Sequence, residues 1–312
     1  MRRGVLALSL LLLTAVGVLA PPAHAGDAAK CTLRHITTVD MGISAGGRLT
    51  VPMTVGGQNL TMEVDSGGAD SALNDAVVKT LGLRKDDISR AHVTMFGGTA
   101  ITGMATGHDI MFGGLKAAKI DFLVIPDGRL QPGIDGLLAP DILRAYDDEF
   151  DFAAAKFSLF SPDHCPGAVV YWAKDFAQID ISLDRTGHIG IPVTLDGKEV
   201  KFDVDTGAEY TTLDWGMAQD LFGIDEHAPG VTRLTSDSGQ VYYKYTFKGL
   251  TFGNAVSGAV TVSNPDILLV PYETSRMRGA IANVIGLGVL RKLHLYIAYQ
   301  EHHLFVTSAT AH

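Results

Sequence analysis

The sequence predicts an all-β protein built from two homologous β-barrel lobes with short helices, related by a pseudo-twofold axis. Three observations predict it. Residues 51–69, VPMTVGGQNLTMEVDSGGA, align without a gap on residues 191–209, IPVTLDGKEVKFDVDTGAE, 140 positions further on. A second element, Leu137-Leu138-Ala139-Pro140-Asp141-Ile142-Leu143, recurs as Val284-Ile285-Gly286-Leu287-Gly288-Val289-Leu290. Between these blocks run short alternating segments separated by turn residues, the signature of sandwiches and barrels. Two copies of a long unit are a duplication, too few for a solenoid.

The chain has 312 residues. Arg2 and Arg3 precede an apolar run over 5–20, and Ala23-His24-Ala25 places small residues where a signal peptidase reads. Residues 1–25 are therefore expected to be a secretory signal peptide, leaving a secreted or periplasmic protein with no membrane attachment after cleavage. The remainder divides into an N-terminal lobe over 26–160, a linker over 161–181 marked by Pro162, Pro166 and Gly167, and a C-terminal lobe over 182–312. Apolar residues make up 46% and charged residues 19%, enough for a full core. A net charge of −9 without a Lys/Arg cluster argues against a nucleic-acid partner. Cys31 and Cys165, the two cysteines, are a possible disulfide in an oxidising compartment.

Each lobe opens on a hairpin: 48–55 and 60–65 around Gly56-Gly57, and 189–195 and 200–205 around Asp196-Gly197. Asn74 and Asp214 are good N-caps for short helices over 75–81 and 215–222, which end near Gly82 and Gly223. Strands are expected over 92–96, 101–105, 108–112 and 120–125, then over 231–235, 241–247, 250–252 and 259–263. The second repeated element reads as an apolar strand running into a short helix. Final strands cover 156–160 and 304–307. Residues 26–45 fit a removable pro-segment, an edge strand or a tail.

The repeat superposes Asp65-Ser66-Gly67 on Asp205-Thr206-Gly207. Each half offers one carboxylate on a Gly-containing turn at the end of an apolar strand. Brought together across a twofold axis, the two would be an acid/base pair. Carboxylates about 3 Å apart cannot both ionise, so they share a proton. Asp237-Ser238-Gly239 has the same three-residue pattern, but no apolar strand leads into it, and it reads as a hairpin tip.

This order of parts resembles the aspartic proteases. Strand, Asp-Ser/Thr-Gly, flap hairpin, then an apolar pair leading into a short helix is the retropepsin-like unit, and two units in one chain resemble the bilobal, pepsin-like form. The likeness spans about residues 45–160 and 180–307. It implies an aspartic endopeptidase in which Asp65 and Asp205 activate one water, without metal or other cofactor. Ser66, Gly67, Thr206 and Gly207 would form the active-site loops, the two hydroxyls bracing the opposite loop. A peptide or protein substrate would bind as an extended strand under a flap carried by Phe96, Gly97 and Gly98, with 236–240 as the equivalent hairpin. A monomer suffices, because one chain carries both aspartates; a dyad formed between two chains is a third arrangement. The rival of another class is a non-catalytic peptide-binding protein that retains the fold.

The sequence departs from the family pattern. Gly68 and Ala208 stand where many pepsin-like enzymes carry a hydroxyl, which removes a donor to the ionised carboxylate and predicts a mildly acid to neutral pH optimum. Ala139 replaces a usual Gly, and Asp147-Asp148-Glu149 is an extra acidic run. His188, His294 and His302-His303 lack zinc spacing and read as packed or solvated histidines.

Overall fold

The computed structural model describes residues 32–91, 93–94, 99–236, 239–271 and 283–310. The expected signal segment, Cys31 with its predicted bridge to Cys165, and the expected flap residues Phe96, Gly97 and Gly98 lie outside the described residues.

The first hairpin pairs Leu49–Val55 with Gln58–Val64 in antiparallel register, Val51 opposite Met62 and Met53 opposite Leu60. These four side chains are at most 7% exposed, because period-two alternation sends them all to one face. The second strand then pairs in parallel with Gly136–Leu138, which pairs with Ala72–Asn74. That strand runs parallel to the end of Leu115–Ile125, which pairs along its length with Gly103–Phe112. Met111 finally pairs with Thr54. The path therefore returns to its first strand and closes a barrel around Leu49, Val55, Met62, Leu73, Phe122 and Leu138.

The second lobe repeats the plan. Ile189–Leu195 pairs with Lys198–Val204, which runs parallel to Val284–Ile285. Thr212–Asp214 runs parallel to Asp266–Val270, as the equivalent strand of the first lobe does to its long hairpin. Gly249–Asn254 pairs back onto Ile189–Leu195, Phe252 opposite Val193. The helices behave alike. Asn74 caps Asp75–Thr80 through the Ala76 N–H, and Asp214 caps Trp215–Phe222 through the Met217 N–H. Gly223 ends the latter helix at φ 65°, a left-handed conformation that glycine adopts without a Cβ penalty.

Several expectations need revision, and one left open is resolved. The segments expected as separate strands over 101–105 and 108–112 mostly fuse into a single strand, Gly103–Phe112, because the ladder runs through Thr106 and Gly107 opposite Asp121 and Ile120. Asp266–Val270 is a further strand, hidden by its brevity behind Asn264-Pro265. Residues 161–176 carry no strand or helix, but the end of the expected linker, Ala177–Asp180, pairs with His303–Ser308. Of the three readings left open for residues 26–45, the edge strand holds for His35–Asp40, which pairs with Lys156–Phe160.

These edge strands belong to a third sheet shared by both halves. Its order is 35–40, 156–160, 147–151, 293–298, 303–308 and 177–180. Three strands of each half meet at an antiparallel seam where Glu149 faces Tyr296 and Asp151 faces His294. The acidic run is thus a central strand. Asp147, Asp148 and Glu149 are at most 2% exposed. Buried carboxyls require partners, and most of theirs come from the later stretches of the chain: Tyr299 donates to Asp148 at 2.8 Å, Tyr296 to Asp147 at 3.2 Å, and His294 lies 3.0 Å from Glu149. His164 sits 2.5 Å from Asp147, and Trp172 stacks on His294 with centroids 4.0 Å apart.

Candidate active site

The strand ending at Val64 and the one ending at Val204 each deliver an Asp-hydroxyl-Gly turn. Asp65 N–H donates to Leu138 O and Asp205 N–H to Ile285 O, so each turn is anchored to the second repeated element of its own lobe. The turns are then tied to each other. Ser66 N–H donates to Thr206 Oγ1 at 3.0 Å, and Thr206 N–H to Ser66 Oγ at 3.0 Å. Each hydroxyl passes its own proton to the strand before the opposite turn, Ser66 to Val204 O at 3.0 Å and Thr206 to Val64 O at 2.7 Å. The reciprocity gives the pseudo-twofold axis an atomic form, and both residues are fully buried.

Across this tie the carboxyls of Asp65 and Asp205 lie side by side: a single Cβ placed on Gly207 would stand within 3.1 Å of an oxygen of each. Both residues keep partial exposure. Gly67 N–H reaches Asp65 Oδ1 at 3.2 Å, while Gly207 and Ala208 N–H groups reach Asp205 Oδ1 at 2.8 and 3.1 Å. The glycines also make room. A Cβ on Gly67 would fall on the Asp205 carboxyl, and one on Gly207 on the Asp65 carboxyl.

Burial first, then the negative charges of Asp205 and Glu63, push the Asp65 pKa well above the usual carboxylate range. Burial also raises Asp205, but hydrogen bonds from Gly207, Asp65 and Ala208 and the charge of Arg48 pull it back down. Burial thus displaces both carboxyls upward, and the pair, being coupled, titrates as a unit. Neither Gly68 nor Ala208 brings a side-chain donor, as their residue types dictate; burial leads the rise of both carboxyls.

A second tie supports each turn. Ser71 Oγ accepts from Ala139 N–H at 3.0 Å and donates to Asp141 at 2.7 Å, and in the second lobe Thr211 Oγ1 accepts from Gly286 N–H at 3.2 Å. Ala139 thus does not disturb the closing element of the first lobe: the strand Gly136–Leu138 and the helix Pro140–Leu143 both form around it.

The sequence-predicted residues Asp65, Ser66, Gly67, Asp205, Thr206 and Gly207 come together here. Asp237 and Ser238 of the third Asp-Ser-Gly triplet lie outside the described residues. Reading by residue type passed over Arg48 and Glu63, which stand beside the dyad. The cavity lined by Gly82, Leu83, Arg84, Asp86, Thr106, His108 and Lys119 shares no residue with it.

Paired aspartates on twofold-related turns, in two β lobes joined by a shared sheet, define an all-β acid-protease fold. The chain belongs to the aspartyl protease family: the family's sequence pattern matches residues 51–141 and again 191–289, together more than half of the chain, one match per lobe. No match was found among the curated proteins.

Proposed function

We propose that this protein is an aspartic endopeptidase in which Asp65 and Asp205 hydrolyse a peptide bond through one activated water. The single observation that carries the reading is the meeting of two aspartates on reciprocally tied turns, both raised in pKa by burial. Asp205, favoured as the anion by two backbone N–H groups, takes a proton from water as general base. Asp65 gives its proton to the oxygen of the scissile carbonyl as general acid. The attacking oxygen closes a tetrahedral centre, and its collapse returns a proton to the leaving nitrogen. Desolvation moves the singly protonated form of the pair to higher pH than free aspartates would give, in keeping with the missing hydroxyls at positions 68 and 208.

The substrate is a peptide or protein segment lying extended between the lobes, held by main-chain hydrogen bonds. One chain supplies both aspartates, so the active species is a monomer. The apolar leader with its small-residue cleavage site supports secretion or export to a periplasm.

Incubation of the mature protein with a peptide library between pH 4 and 7 tests the reading. Asp65→Asn and Asp205→Asn should each lower cleavage by about 10²–10⁴-fold, and a pepstatin-like inhibitor should block the wild type. If both variants still bind peptide and the wild type never cleaves it, the fold serves as a binding module instead. Sedimentation of the active species should give a monomer.

A further inference from the structure

The twofold symmetry breaks beside the dyad. Arg48 and Glu63 flank the hairpin that leads to Asp65. The positions 140 residues later hold His188 and Asp203. His188 turns back to its own hairpin and pairs with Asp184 at 3.0 Å. Arg48 instead crosses to the other lobe: its Nη1 donates to the carbonyl oxygen of Gly207, the residue whose N–H holds Asp205. The same nitrogen lies 3.5 Å from Glu63 Oε1.

The guanidinium is held on its other side as well. With the Gln131 amide oriented to satisfy both of its atoms, its oxygen accepts from Arg48 Nε at 3.3 Å and its nitrogen donates to Gly46 O at 3.2 Å. Arg291 of the second lobe donates to Gly47 O at 2.5 Å, pinning the turn that carries Arg48. An arginine fixed by several partners presents a rigid fork.

Two opposite charges therefore bias the dyad from one side. Arg48 favours the Asp205 anion, and Glu63, when ionised, disfavours ionisation of Asp65. Burial lifts Glu63 to about 7, against the pull of Arg48 and with a further push from Asp205. Asp203 also feels the charge of Asp205, and its own charged neighbours are His188, Lys201 and Asp184.

We infer that Arg48 is a positioning residue that tethers the Gly207 loop and selects Asp205 as the ionised member of the pair, with Glu63, once ionised at the upper end of the working range, as the counter-charge that holds the proton on Asp65. The role rests on the water-activating reading of the dyad. It assigns acid and base to residues that the duplicated motif leaves equivalent.

The test combines carboxyl titration by ¹³C NMR of aspartate-labelled protein, assigned with Asp205→Asn, and pH profiles of kcat/KM. Arg48→Gln should move the first ionisation of the dyad, and the acid limb of the profile, upward by about one pH unit. Arg48→Lys keeps the charge but loses the fork; its acid limb should stay within a few tenths of a unit while kcat falls. Glu63→Gln should shift the basic limb downward, because an anion that disfavours the second ionisation is gone. An Arg48→Gln titration superimposable on the wild type, with only the melting temperature lowered, would reduce Arg48 to a structural tie and overturn the inference. So would an unmoved basic limb in Glu63→Gln, which stands even if Arg48→Gln does not fold. A wild type that cleaves nothing sinks the proposed function alone, since the carboxyl titration still decides what Arg48 does.

Discussion

The space beside each aspartate is the space a methyl group would need. A Cβ on Gly207 lands on the Asp65 carboxyl, and the mirror holds for Gly67 and Asp205. Gly207→Ala should therefore push the carboxyls apart and lower kcat/KM by about 10²-fold, the scale of an ångström-sized misplacement. Overpacking of this kind costs stability by only about 1–3 kcal/mol, so the variant should still fold. Steady-state kinetics beside a thermal melt checks both halves of the expectation, and full activity would show that the carboxyls do not need their present spacing. At this scale the dyad is legible in the sequence, because a gapless repeat superposes Asp65 on Asp205. Arg48 and Glu63 are not. Arg48 owes its importance to a carbonyl 159 positions away, and no local pattern marks such a contact.

The elements around the dyad depend on the cross-tie of the two turns. Thr206 Oγ1 accepts from Ser66 N–H and donates to Val64 O inside a region closed to water. Thr206→Ala leaves both groups unpaired, and each orphaned buried group costs about 1–3 kcal/mol. Denaturant unfolding should show a loss of about 2 kcal/mol or more, whereas Thr206→Ser should stay close to wild type. In the double variant with Ser66→Ala the losses should fall short of additivity, because the two residues share their partners. A neutral Thr206→Ala would mean that water satisfies the tie. The hairpins and capped helices are readable because alternation, turn glycines and cap residues act within a few positions. The strand over 147–151 reads in the sequence only as an acidic departure. Charge predicts exposure on average, and here His294 and Tyr296 on the paired strand and Tyr299 in the turn after it, all far along the chain, reverse that expectation.

The whole molecule carries an excess of carboxyls that prefer to be protonated. Burial is the first cause for Asp65, Glu63, Asp147, Asp148 and Asp205, all raised. Each contributes stability that is complete below its unfolded pKa and lost as pH rises through its folded pKa. For Glu63 that window runs from 4.5 to about 7. His164 acts in the same sense: burial would lower it, but hydrogen bonds to Asp147 and to the Cys165 carbonyl carry it above its ordinary value, so its contribution also fades with rising pH. The opposite group is smaller: Asp75, Asp87, Asp184 and Asp266 are lowered, and their contributions are lost only as pH falls through their folded values. Asp184, where the push of burial is outweighed by hydrogen bonds from Thr186 and His188, sits at about 2 and loses its contribution only as pH falls toward that value. Calorimetry should therefore find a higher melting temperature at about pH 5 than at about pH 7.5. A melting temperature that climbs steadily toward pH 8 would contradict the balance.

The bare chain settles the class of this protein, its duplication, the two hairpins and the aspartates they deliver. Those follow from period, turn chemistry and repetition, which act over short separations and leave a local trace. It could not tell the two aspartates apart, place an acidic run in the middle of a sheet, or show that Ala177–Asp180 continues that sheet. Those outcomes depend on partners more than a hundred residues away, and burial and proximity exist only once the folded chain has brought them into contact.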